Sequence, residues 1–330
     1  MKSTILEQFL TKIEQRLYET TKDKEPRSLY DPVTYTYDLG GKRVRPQLAG
    51  IGCGLAGGNL DDAVNAACAV EMLHNFTLIH DDIMDEAVTR RGKDAVHIKW
   101  SVNTAILSGD VLFGLAANEL QTYAHNDSIS KSQLTKLYDV FHWGVQTVCE
   151  GQANDMDFEG RQDVSLSEYL HMIEQKTAAL LSVSLRLGGI IANADDKRLK
   201  QLHELGITLG IAFQIQDDYL DVYGNPETFG KRKAGDLHEA KKTWLTIHAL
   251  EQLQHDDANE LSTILYKSER SSIDIDRIYQ LFDKLELQTQ VKNNITSYYE
   301  KAESLLTSFS DGPHKDHLKT LLTNLTDRNQ

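Results

Sequence analysis

Residues 78–93 read LIHDDIMDEAVTRRGK, which gathers Asp81, Asp82, Asp85 and Glu86 into six positions and follows them closely with Arg90 and Arg91. On a helix, Asp81 and Asp85 stand at i and i+4 and face each other. Two unit charges about 6 Å apart repel by about 3 kcal/mol at an effective dielectric of about 20, so the cluster invites a cation. Taken alone, an acidic run is most often a solvated face. The stretch FQIQDDYLDVYG, residues 213–224, changes that reading, because Asp217, Asp218 and Asp221 repeat the DDxxD spacing behind a second apolar run. If the two helices pack side by side, their acidic faces meet across a cleft. Mg²⁺ keeps several waters, bridges to phosphate oxygens and needs few carboxylates. The paired motifs point to Mg²⁺ together with a phosphorylated ligand.

Such a ligand also needs cations from the chain, and three basic groups sit near loops. GGKRVRP, residues 40–46, carries Lys42, Arg43 and Arg45 behind two glycines that let the backbone turn closely. Arg90 and Arg91 form the second group. Lys231, Arg232 and Lys233, followed by Lys241 and Lys242, form the third. Arginine offers a planar fork to phosphate oxygens and lysine a mobile point charge, a mixture suited to two diphosphates held in different ways.

The elements that position these residues read as helices. No proline lies between Pro46 and Pro226, so helices can run without their commonest breaker. Residues 62–79 are apolar on most of the circumference, as suits a helix buried on several sides. Residues 167–187, 199–220 and 243–253 repeat the theme, and period-2 alternation is scarce. The expected fold class is an all-α bundle in one domain spanning 1–330, with loops near 52–62, 90–100, 124–132 and 224–236. From about 251 the chain is charged and helical without catalytic motifs, suiting packing and interface.

The 330 residues carry a net charge of −14, which argues against nucleic acid or anionic lipid as a general partner. Cys53, Cys68 and Cys149 form no CxxC pair and are odd in number, so neither a zinc site nor a disulfide framework is expected, and a reducing cytoplasm is the simplest setting. The N-terminus has glutamates inside a helical pattern, unlike a signal peptide. No stretch offers about 18 consecutive apolar residues for a membrane span.

Read in order, GGKRVRP, HNFTLIHDDIMD, RRGK, GQANDMD, QKTA, FQIQDDYLD, GKRKAGD and KKT span residues 40–243. This series resembles the trans-isoprenyl diphosphate synthases, the polyprenyl synthetase family. The resemblance implies a helical bundle around a central cavity, with the two aspartate motifs on facing helices near its mouth. It implies Mg²⁺ as cofactor, three ions to a site, bound by Asp81, Asp85 and Asp217, with Asp82, Asp218 and Asp221 as supporting carboxylates. Asp155 either supports the metal waters or is simply exposed. By the same match Arg90, Lys176, Lys231 and Lys241 hold an allylic diphosphate, while Lys42, Arg45, His74 and Arg91 form the pocket for isopentenyl diphosphate. Thr177 and Gln214 supply dipoles to a cationic intermediate, and Phe213, beside the isopentenyl diphosphate pocket, a ring face. His74, seven residues before Asp81, lies two turns along the same helix face. A homodimer is also implied.

The expected reaction is ionisation of the allylic diphosphate, attack by the double bond of isopentenyl diphosphate, and loss of a proton to the departed pyrophosphate. A class I terpene cyclase shares the first aspartate motif, but its second metal motif normally has an Asn/Ser/Glu pattern, and it needs neither GGKRVRP nor His74. A non-catalytic subunit of a prenyl synthase would tend to lack aspartates that are all present here. Phe76 and Thr77 lie roughly 6 to 7.5 Å before Asp81 along a helix, where a growing prenyl tail would meet them. In the synthases that the chain resembles, two aromatics there go with C15 products and small residues with long chains, so the resemblance implies C20 for one aromatic beside one small residue, with C15 next.

Overall fold

A computed structural model describes residues 5–224 and 234–326. Lys231, Arg232 and Lys233 therefore lie outside the described residues. The described chain is helical almost throughout, as its pattern predicts. It divides into two compact units, one of residues 1–145, 180–206 and 309–318, the other of 146–179, 207–308 and 319–330.

In the first unit, α1 (Ile5–Thr21), α2 (Arg27–Asp38) and α3 (Val44–Leu55) surround α4 (Val64–Met84), which also packs along α6 (Val102–Gln121). Ala66 to Leu73 are all buried, so α4 has no solvent face over two turns. That follows from its composition: three alanines in Ala66–Leu73 let neighbours approach on every side. The helix runs five residues beyond the expected 62–79 and carries Asp81 and Asp82 in its last turn. No basic residue stands in that turn.

The loop expected at 90–100 is more ordered than its sequence suggests. Thr89–Arg90 pairs antiparallel with Lys93–Asp94, and the short α5 (Val96–Lys99) follows. Arg91 and Gly92 have φ of +53° and +74°, the left-handed pair that a two-residue type I′ hairpin demands.

In the second unit, residues 146–159 of α7 (Lys131–Glu159) and 207–223 of α10 (Asp196–Tyr223) frame a segment that sequence reading took for plain helix. After α8 (Leu166–Ile173), which starts with a capping box on Ser165 and Glu168, the chain makes a π turn over Glu174–Ala178 before α9 (Ala179–Ile191). The helix Trp244–Gln252 packs on α8. No described helix is long and apolar enough to cross a membrane.

Candidate active site

The first unit assembles a cationic pocket around His74. Arg43 caps the start of α3 in a left-handed conformation and turns inward, where Glu71 accepts a hydrogen bond from it at 2.7 Å and the Tyr37 carbonyl another at 2.8 Å. Both charged groups are under a tenth exposed. Arg43 thus anchors the GGKRVRP loop, leaving Lys42 exposed and Arg45 half-buried at the pocket. Arg45 Nη1 lies 3.0 Å from His74 Nε2. Burial pulls Arg45 down to about 10, with Glu71 opposing and Arg91 adding to the fall. His74 is held well below the usual imidazole value by burial first, then by Arg45, Arg91, Arg90 and Arg43. It is therefore neutral near pH 7, accepts from Arg45 on Nε2, and keeps its proton on Nδ1 as a donor. Arg45 Nε is buried with no partner among the described residues, a donor for which an anionic ligand would be a partner.

Arg91 completes this group from the hairpin tip. A Cβ built on Gly41 would meet its guanidinium at 2.7 to 2.9 Å, and Gly41 has φ of +130°. The second glycine of the motif is thus required twice, for its backbone angle and for the close approach of Arg91. Glu71 stands one turn before His74 and opposes the lowering of both Arg45 and Arg91. Sequence reasoning missed it. A lone carboxylate inside the apolar run 66–73, three residues from His74, was the available signal.

Arg90 leaves the hairpin in another direction. Its Nε lies 3.0 Å from Asp82 Oδ1, and its Nη2 also donates to that oxygen. Asp82 is 3 % exposed, so the middle aspartate of the first motif orients an arginine. Asp81 is half-buried and Asp85 exposed.

The second motif divides its labour similarly. Asp218 is buried and accepts from Tyr169 Oη, from the Trp244 backbone N–H at 3.0 Å and from Gln214 Nε2 at 3.1 Å. Burial pushes its carboxyl up to about 7, opposed by these three donors and reinforced by Asp217. Asp221, also buried, accepts from the Asp236 N–H at 2.9 Å and fixes the start of the helix Gly235–Glu239. Asp217 is half-buried. The outward carboxylates are thus Asp81 and Asp85 in one motif and Asp217 in the other.

Both motifs lie at helix C-termini, the negative ends of the macrodipoles, and neither last turn holds a basic residue. Carboxylates placed there are destabilised unless a cation joins them. Among the described residues no group of three or more His, Cys, Asp or Glu is placed to hold a metal. An ion completed by water and phosphate oxygens needs no such group, and an all-oxygen donor set suits Mg²⁺.

Lys176 and Thr177 stand on the π turn, a geometry frequent at functional sites. A Cβ on Gly151 would lie 2.3 Å from the Lys176 backbone nitrogen, so the glycine of GQANDMD is what lets α7 reach the turn. Lys176 Nζ pairs with Asp155 Oδ2 at 2.6 Å, both half-buried. Thr177 Oγ1 donates to Gln214 Oε1 at 2.9 Å, which extends the chain of bonds to Asp218. Phe213 is half-buried beside them in sequence. Lys241 is exposed and pairs with Glu239 at 3.1 Å.

Phe76 is half-buried against His80 at 4.8 Å and Phe113 of α6 at 6.1 Å between ring centroids, and Phe113 in turn stacks on the buried Phe141 at 6.0 Å. Thr77 Oγ1 returns to the His74 carbonyl at 2.8 Å.

The family model for polyprenyl synthetase matches residues 26–282, more than two thirds of the chain. The chain belongs to the polyprenyl synthetase family. It is 40 % identical over 262 residues to the geranylgeranyl diphosphate synthase of Saccharolobus solfataricus, covering 79 % of this chain and 78 % of that one. The geranylgeranyl diphosphate synthase of Methanosarcina mazei is 38 % identical over 302 residues, or 92 % and 89 % of the two chains. Among solved structures, a geranylgeranyl pyrophosphate synthase superposes with a TM-score of 0.90 at 40 % identity over 100 % of both chains. All of the motifs between residues 40 and 243, KKT included, lie inside the polyprenyl synthetase match.

Proposed function

We propose that this polyprenyl synthetase is a short-chain prenyltransferase, a single functional domain over 1–330 that joins isopentenyl diphosphate head to tail, 1′ to 4, with allylic diphosphates to give geranylgeranyl diphosphate (C20). Farnesyl diphosphate (C15) is the next expected product. The observation that carries the reading is the pocket of Arg45, His74 and Arg91, which has no use in an enzyme that binds one diphosphate alone. A class I cyclase would consume no isopentenyl diphosphate. Incubating the purified chain with Mg²⁺, isopentenyl diphosphate and farnesyl diphosphate, then separating the products, tests the proposal; no consumption of isopentenyl diphosphate would refute it.

In this proposal Arg45 and Arg91 bind the isopentenyl diphosphate as charges, and His74 as a neutral donor through Nδ1, with Lys42 at the exposed edge. Asp82 holds the Arg90 fork toward the allylic diphosphate, which Lys176, Lys231 and Lys241 also bind. Asp81, Asp85 and Asp217 would hold the Mg²⁺, proposed as three ions per site, with Asp218 and Asp221 supporting through the scaffold. Bound Mg²⁺ would supply positive charge to the leaving diphosphate. As the allylic C–O bond breaks, Thr177 Oγ1 and Gln214 Oε1 present partial negative charge to the cation without a free nucleophile, and Phe213 a ring face. The double bond of isopentenyl diphosphate then forms the new C–C bond, and the released pyrophosphate takes the proton. Asp155 sets the position of Lys176. A homodimer and a cytoplasmic setting complete the proposal; sedimentation at micromolar concentration checks the former.

Two outcomes follow. Arg91→Ala and His74→Ala should raise the KM for isopentenyl diphosphate about tenfold or more and change that for the allylic partner little, whereas Lys176→Ala should do the reverse; each removes one charge-assisted hydrogen bond. Equal effects on both substrates would contradict the division. Phe76→Ala should lengthen the product by at least one isoprene unit, read by chromatography. Phe113 packs beside Phe76 at 6.1 Å between ring centroids, a second ring in reach of a longer tail, and an unchanged product profile would remove Phe76 from the account.

A further inference from the structure

Within the first unit, α9 and the parts of α7 and α10 that belong to it enclose an open groove of about 570 Å³ with no role in the reaction above. Arg186 of α9 is half-buried, and burial lowers its affinity for the proton. Its guanidinium stacks over Trp143 at 5.2 Å from the ring centroid and makes no ion pair among the described residues. A desolvated guanidinium held only by an aromatic face leaves its fork of N–H donors unmatched. His203 packs edge-on against the same tryptophan at 5.5 Å, and the buried Ser182 fixes its ring through Nδ1 at 2.7 Å. Lys136 on the lining is already matched by Asp196 at 2.6 Å, while Asp139 and Lys200 are exposed. Val140, Ile190 and Leu199 supply an aliphatic wall next to the Trp143 face.

From the unmatched Arg186 on Trp143, the pinned His203 and the adjoining aliphatic wall, we propose that this groove binds an amphiphilic anion: one phosphate or carboxylate head on an aliphatic body. Arg186 receives the head in its fork, with His203 beside it, and the body lies along Trp143 and the aliphatic wall. A planar fork matches either head group, and the apolar wall gains from covering by a chain.

Octyl phosphate, octanoate and octanol, titrated calorimetrically into the full chain in EDTA, test this independently of turnover. Octyl phosphate should bind wild type and Arg91→Ala alike, and Arg186→Gln at least about tenfold more weakly, the scale of one charge-assisted hydrogen bond. Trp143→Leu, which keeps the charge and removes the ring, should weaken it as well. Prenyl transfer by Arg186→Gln should equal wild type, which also shows that the variant is folded. Octanoate binding with the same Arg186 dependence extends the head group to carboxylates, and octyl phosphate binding alone restricts it to phosphates. The proposal is overturned if neither anion binds, if octanol binds as tightly, or if affinity falls in Arg91→Ala and not in Arg186→Gln.

Discussion

Asp81→Asn and Asp217→Asn should each lower kcat by on the order of a thousandfold, the scale of losing one preorganised electrostatic contact to a leaving group, and EDTA should abolish turnover of the wild type. The expectation rests on the outward position of these two carboxylates at the negative ends of α4 and α10. Stability should move the other way or not at all, since each change relieves repulsion without opening a cavity. Asp218→Asn is the instructive contrast: it leaves Tyr169 and the Trp244 N–H facing an altered acceptor, so its first effect should be on folding. Wild-type turnover in excess EDTA, read by consumption of labelled isopentenyl diphosphate, would sink the metal assignment.

Glu71→Gln should have the largest effect on stability. It takes from the buried Arg43 its close counter-charge, leaving Glu14 at 3.9 Å and 58 % exposed, and removes the anion that favours the charged forms of Arg45 and Arg91. Breaking one partner of a buried ion pair costs about 3 to 5 kcal/mol, which lowers the thermal midpoint clearly in a calorimetric scan. The folded fraction, assayed at low temperature, should show a raised KM for isopentenyl diphosphate, because the GGKRVRP loop loses its anchor. A midpoint equal to that of the wild type would show that Arg43 finds another partner and that the loop is held elsewhere.

Much of this was legible beforehand. The duplicated DDxxD, the order of the basic motifs and the proline-free middle stretch announced a helical enzyme of this family, and α4 and α10 run where the apolar periodicity predicts them. The sequence could not say which aspartates of each motif face inward. Successive residues on a helix are turned by about 100°, so the direction of Asp82 depends on which face of α4 is covered, a tertiary fact. Nor did periodicity distinguish the π turn from an α-helix, since one extra residue per turn over five positions is too short to disturb an amphipathic pattern. The type I′ hairpin was hidden because its first central residue is arginine instead of the asparagine or glycine that signals such turns.

That arginine sets stability against use. A non-glycine residue held at positive φ is strained by about 1 kcal/mol or more, and Arg91 accepts this at the hairpin tip where glycine or asparagine would sit at ease. A laboratory screen for heat tolerance that ignored turnover should thus enrich variants at this position that fold better, and, under the proposed role of Arg91, these should bind isopentenyl diphosphate worse.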